Sequence, residues 1–140
     1  MTARQLPLAI ALVDAAPAVR FVLDHCGVPD IAGGGWDGWA RDIAELARRP
    51  NVVAAKISGI PAYAAADWSA ETLARWAGHV AGAFGSDRLV WGGDWPVCTL
   101  GGGLACWVGA TRAIFGGCSA DERAALYDKN AARIWGLAPL

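Results

Sequence analysis

Three side chains of unlike chemistry stand within or just past short apolar runs. His25 follows Phe21-Val22-Leu23-Asp24, Lys56 lies inside Val52-Val53-Ala54-Ala55-Lys56-Ile57, and Asp94 follows Val90-Trp91-Gly92-Gly93. An imidazole, an ammonium and a carboxylate gathered at one rim form a set suited to hydrolysis. Asp94 can bind a divalent cation or take a proton from an attacking water, and the glycine pair before it lets the backbone turn tightly. His25 can ligate metal, or polarise a carbonyl and stabilise the oxyanion. Lys56 can hold a substrate carboxylate or hydroxyl through its point charge. Of the eight tryptophans, Trp95 is the one placed to line a pocket, while the others fall mostly at helical spacing and read as core.

Each candidate also has a structural explanation. Asp94 before Trp95-Pro96 can simply cap a turn, and His25 can be a hydrogen-bonded rim histidine. Lys56, inside an apolar strand, needs either a function or a carboxylate partner, since burying it alone is costly. Asp24 is expected to orient His25 or cap a loop. His79, between Gly78 and Val80 and away from every strand end, reads as a structural or surface residue.

For these groups to meet, the runs that carry them must be strands of one sheet. Val19–Leu23, Val52–Ile57 and Arg88–Trp91 have the apolar, β-rich character of buried strands. Helical periodicity occupies the intervals. Leu6, Ile10 and Val13 share a face; so do Trp36, Trp39, Ile43 and Leu46; so do Leu73, Trp76, Val80 and Phe84; and Leu104, Trp107, Val108, Thr111 and Phe115 predict a further helix stopped by Gly116-Gly117. Ser69 is placed to cap the third helix and Gly85 to end it, and Ser119-Ala120-Asp121-Glu122 reads as a capping box opening the last. Strands spaced by about 35 residues with helices between them suit right-handed βαβ units, so the fold class is α/β with a parallel sheet. Ligands of such sheets bind at the carboxyl ends of the strands, where His25, Lys56 and Asp94 stand.

Composition narrows the functional classes. The 140 residues suit a single domain, with 55% apolar and 18% charged residues. A formal net charge of -1 with interspersed signs offers no basic stripe, so neither nucleic acid nor an anionic membrane is an expected partner. The longest uncharged run, Trp95 to Thr111, is broken by Pro96 and four glycines and makes a poor bilayer span. The N-terminus lacks a cleavage pattern, and Cys26, Cys98, Cys106 and Cys118 form no C-x-x-C pair. Reduced thiols and a cytoplasmic location are therefore expected.

Four motifs in order carry a resemblance. They are Phe21 to Pro29 (FVLDHCGVP), Pro50 to Gly59 with Lys56-Ile57-Ser58-Gly59, Phe84 to Cys98 with Gly93-Asp94-Trp95-Pro96, and Asn130-Ala131-Ala132-Arg133. Together they resemble the amidohydrolase-related superfamily, in the branch holding L-fuconolactone hydrolase and pyrone-dicarboxylate lactonase. The resemblance implies a partial (β/α)8 TIM barrel whose last three parallel strands with flanking helices are present, residues 1–140 forming one C-terminal partial barrel domain. It implies water-mediated opening of a lactone or related ester or amide. His25 matches the histidine after the sixth strand, and Asp94 the aspartate after the eighth, which accepts a proton and, where metal is bound, ligates it. Lys56 matches a lysine of the seventh strand. Some branches use zinc or manganese and some lactonases work without metal.

The chain also departs from the family pattern. The family's His-x-His pair is absent, Gly93 stands where the family usually has Ser, and Val52–Lys56 is one residue longer than usual. A one-residue slip would turn Lys56 to the opposite face. A barrel also needs eight strands. Two readings follow. One is a lactonase-like hydrolase acting on a small molecule, completed by N-terminal strands on another polypeptide or lost from this sequence, or by a homo-oligomer. The other is a non-catalytic remnant that self-associates or binds a partner through its sheet edges.

Overall fold

The computed structural model describes residues 2–137. Helices and strands alternate along the chain: α1 (Leu6–Ala15), β1 (Phe21–Leu23), α2 (Trp36–Ala47), β2 (Val52–Ile57), α3 (Ala70–Phe84), β3 (Leu89–Trp91), α4 (Leu104–Ile114), α5 (Ala120–Ala124) and α6 (Asn130–Trp135). A π-helical turn over Ala125–Lys129 joins α5 to α6. The sheet has the order β1-β2-β3 with both pairings parallel. Among the described residues no helix is long and apolar enough to cross a membrane.

The predicted strands are present, two of them shortened at their starts. Val19 and Arg20 precede β1: the Val19 amide closes a turn onto the Ala16 carbonyl, and the Arg20 guanidinium donates to the Ile134 carbonyl. Arg88 belongs to a 3-10 turn, Ser86–Arg88, from which it donates to the carbonyls of Phe84 and Val52. The predicted caps form as well. Ser69 Oγ accepts the Thr72 amide, Gly85 ends α3 at φ +73°, and Ser119 and Glu122 make the reciprocal capping box.

Most of the core lies between one sheet face and the helices. Leu23, Val52, Ala55, Ile57 and Leu89 meet Leu6 and Val13 of α1, Trp39, Ile43 and Leu46 of α2, Leu73, Trp76, Val80 and Phe84 of α3, and Trp107 of α4. A smaller cluster on the other face joins Ala54 and Val90 to Ile134 of α6, with Val22, Val53 and Ala131 beside them. His79 is structural as expected: its Nε2 is 2.8 Å from the Ala40 carbonyl, and its ring packs against Trp36 and Trp39.

The pairing of β1 with β2 contains a bulge. Phe21 pairs with Val52, but Val22 pairs with Ala54 and Leu23 with Ala55, so Val53 has no partner. The irregularity lies before Lys56, and the register toward β3 then runs without interruption, with Lys56 opposite Val90. Such a bulge costs one ladder position and leaves everything downstream in phase.

The Asn130 motif serves the fold. Its buried side-chain amide donates to the Ser86 carbonyl at 2.7 Å and the Leu89 carbonyl at 2.8 Å, tying α6 to the start of β3. Asn130→Ala leaves two carbonyls short of a donor and is expected to destabilise the chain by about 2 kcal/mol, read as a lower urea midpoint at unchanged slope.

Candidate functional site

The rim of the sheet is built by its three carboxyl-end loops. After β1, His25, Cys26, Gly27 and Val28 all take left-handed backbone angles, with φ of 49°, 51°, 72° and 52°. For L-residues this costs about 1–2 kcal/mol each, and a β-branched valine is a rare occupant. Several tertiary contacts hold the turn in place. The Cys26 carbonyl accepts the Trp39 indole N–H at 2.8 Å, the Cys26 thiol lies 3.6 Å from the Lys56 carbonyl, and the Val28 carbonyl accepts the Ala3 amide at 3.2 Å. The third loop is held in a similar way, by the Trp107 indole donating to the Gly92 carbonyl at 2.9 Å. These two buried tryptophans, expected only to fill core, also fix rim backbone.

The turn aims His25 into a chain of polar groups. Its Nδ1 lies 3.0 Å from Ser58 Oγ and 3.4 Å from Asp94 Oδ1, and its Nε2 lies 3.1 Å from Asp24 Oδ2. The other Asp24 oxygen, Oδ1, lies 2.7 Å from Lys56 Nζ. Asp94, His25, Asp24 and Lys56 are therefore linked in series across all three strand ends. Asp94 takes a left-handed φ of 55°, which a short polar side chain tolerates, and its Oδ2 is buried without a hydrogen-bond partner. An orphan carboxylate oxygen costs stability unless something binds it, so Oδ2 is the open valence of the site.

Two glycines make room for this chain of groups. A Cβ on Gly59 would fall 2.8 Å from His25 Nδ1, and one on Gly92 would fall 2.7 Å from Lys56 Cε. The Gly93 position is also crowded, with Leu104 Cδ1 at 2.8 Å from where a Cβ would stand.

His25, Lys56 and Asp94 thus converge as expected, and Asp24 orients His25. Lys56 is on the site face, after the bulge at Val53, with its ammonium on Asp24. Trp95 does not join them and is 76% exposed. Ser58, fully buried against His25, is a site residue beyond the three expected ones. Its position two residues after Lys56, hence on the same strand face, is the signal that would have found it. Tyr63, in the turn that follows, feels the site's charge: burial, then Asp94 and Asp24, push its phenol above the ordinary value. Nothing in its spacing announces this, because it lies in irregular backbone.

The Cys26 thiol is fully buried and is pushed up to about 12, chiefly by burial. It therefore remains a poor nucleophile at neutral pH. A disulfide reagent at pH 8 is expected to label the exposed Cys106 and the half-buried Cys118 quickly, and the buried Cys26 and Cys98 only on unfolding. Rapid labelling of Cys26, located by peptide mass, would contradict this burial.

The residues present do not by themselves fit a metal ion. Among the described residues no three His, Cys, Asp or Glu side chains converge to hold one, and both nitrogens of His25 are already engaged. Among the described carboxylate oxygens, the buried one without a partner is Asp94 Oδ2.

The chain is similar to known proteins along most of its length. The chain is 37% identical to the L-fucono-1,5-lactonase of Burkholderia ambifaria over 73% of its own length and 35% of that protein. It is 36% identical to the L-fucono-1,5-lactonase of Burkholderia multivorans over 96% of its own length and 49% of that protein. A crystal structure of a Burkholderia multivorans amidohydrolase with bound zinc superposes with a TM-score of 0.91 at 31% identity, over 99% of this chain and 51% of that one. A putative 2-pyrone-4,6-dicarboxylic acid hydrolase from Pseudomonas putida superposes at 0.71 and 30% identity, over 94% of this chain and 49% of that one. The chain spans between about a third and a half of the length of these relatives, and its three parallel strands with flanking helices are part of an amidohydrolase-type barrel. Residues 1–137 match the Amidohydro_2 family model, described as Amidohydrolase, and the chain belongs to that family.

Proposed function

We propose that this chain supplies the C-terminal wall of a hydrolase that opens a sugar lactone or a related ester or amide with water. The observation that carries the reading is the series Asp94, His25, Asp24, Lys56, ending in a buried carboxylate oxygen with no partner. Water placed against Asp94 Oδ2 gives up a proton to it while its oxygen bonds to the carbonyl carbon. The ring C–O bond then breaks, and the same proton passes to the departing alkoxide. His25, hydrogen-bonded to Ser58 and within ion-pair distance of Asp94 and Asp24, shares the charge that Asp94 gains and loses. Lys56 contacts the substrate, whereas Trp95 stands outside the series. A divalent cation, zinc or manganese, would take Asp94 Oδ2 and complete its ligand set outside this chain, where it would polarise the substrate carbonyl.

The outer edges of β1 and β3 have no strand partner among the described residues, and apolar Leu8, Leu12 and Val19 are exposed near the β1 side. Strands completing the barrel cover them in this reading, supplied by an N-terminal unit or a second copy. The same edges favour the second reading, a non-catalytic domain that binds through them.

Proton release from a panel of sugar lactones separates the two. The purified chain is assayed alone and refolded with the N-terminal half of the Burkholderia multivorans relative, with and without zinc or manganese. Hydrolysis in either form that is lost in Asp94→Asn supports the hydrolase reading. No release above that of the variant leaves the binding domain.

A further inference from the structure

Beside the catalytic series, on the same rim, lies a cleft of about 390 Å3 lined by Thr2, Ala3, Arg4, Val28, Pro29, Asp30 and Tyr63. Three connections join it to the site. Val28 ends the left-handed turn that aims His25. Tyr63 ends the short turn Ile60–Tyr63, which starts at Gly59, the glycine in contact with His25. The Ala3 amide is bonded to the Val28 carbonyl, which brings the N-terminal segment to the rim.

The wall offers groups of every hydrogen-bonding kind. Arg4 is exposed and makes no ion pair among the described residues, so its guanidinium donors are free. Asp30 spends Oδ1 on the Gly33 amide at 3.0 Å and keeps Oδ2 as an acceptor. The Tyr63 phenol, held protonated by burial and by the field of Asp94 and Asp24, donates and accepts. Val28, Pro29 and the Tyr63 ring supply apolar surface for C–H groups. A wall of mixed sign, with three carboxylates near it, suits a neutral chain of hydroxyls better than a second carboxylate.

We propose that this cleft is the subsite for an uncharged polyhydroxylated arm of the substrate, with Tyr63 and Arg4 as the specificity-determining residues. The assignment deepens the lactonase reading and rests on it for the word substrate; binding in the cleft is measured separately from hydrolysis.

The first measurement is saturation-transfer NMR of the purified chain with a neutral hexitol, which cannot be hydrolysed, beside the corresponding aldaric dianion. Tyr63→Phe keeps the ring and removes one hydroxyl, and Arg4→Gln removes the fork of donors. Each is expected to weaken hexitol binding about fivefold to tenfold, while Arg112→Gln on α4 leaves it unchanged. Loss of hexitol binding in both variants, from a chain that hydrolyses no lactone either alone or refolded with the N-terminal half of the relative, would uphold the subsite and reject the lactonase reading. Absence of hexitol binding to the wild-type chain, tighter binding of the dianion, or equal binding by Tyr63→Phe and the wild type would each overturn the subsite. Where hydrolysis is observed, Tyr63→Phe should raise KM for a lactone bearing a hydroxylated arm and leave KM for a lactone without one unchanged. A fall in kcat on both lactones would instead mark Tyr63 as structural.

Discussion

Asp94→Asn is expected to lower kcat of the lactone-hydrolysing form about a thousandfold, within the range that loss of a positioned general base produces. The substitution is nearly isosteric, and asparagine tolerates the φ of 55° that Asp94 adopts. The fold therefore survives the change. Stability should not fall either, because the carboxylate oxygen that is replaced or neutralised has no hydrogen-bond partner to lose at Oδ2. What disappears is the basic oxygen facing the site. The prediction is checked by kcat together with a urea midpoint. A variant that keeps full turnover would show that another group takes the proton, and a variant that unfolds would show that Asp94 is chiefly a turn residue.

Gly59→Ala is expected to damage the site without touching any ionisable group. Two penalties coincide at this position. The backbone sits at φ +74°, where an L-residue is strained, and the new Cβ would lie 2.8 Å from His25 Nδ1 and 3.0 Å from its Cβ and Cγ. His25 cannot retreat easily, because its own left-handed turn is tied by Trp39 and Ala3. The expected outcome is a stability loss of about 2 kcal/mol and a fall in kcat of about a hundredfold as the imidazole leaves Ser58 and Asp94. Gly34 provides the comparison: it has φ +72° with nothing within 4 Å of where a Cβ would be placed. Gly34→Ala should therefore show the backbone cost alone, about 1 kcal/mol, with kcat unchanged. Equal effects of the two substitutions on stability and rate would mean that the contact with His25 contributes nothing.

The paired effects show why glycines at strand ends matter in this fold. The reacting groups approach one another across strands, and the strand neighbours must yield the space. Gly59 and Gly92 do so for His25 and Lys56 respectively. Gly93 in turn accommodates Leu104. The hydroxyl that meets His25 is that of Ser58.

What the amino-acid sequence determined by itself was whatever depends on near neighbours along the chain. The apolar runs became strands and the 3.6-residue patterns became helices, because side-chain direction has a fixed period in each. Ser69, Gly85 and the Ser119–Glu122 box acted as punctuation, since capping involves residues within one turn. The placement of His25, Lys56 and Asp94 at one rim followed from parallel strands having their carboxyl ends on one side. Tertiary structure decided everything that depended on a partner distant in sequence. Only pairing with β1 shows that Val53 is bulged out of the ladder and that Lys56 lies on the site face beyond it. Only the meeting of two strands makes Asp24 the bridge between His25 and Lys56. The left-handed run from His25 to Val28 opposes local preference and is held by an indole from α2, a contact that no period in the sequence encodes.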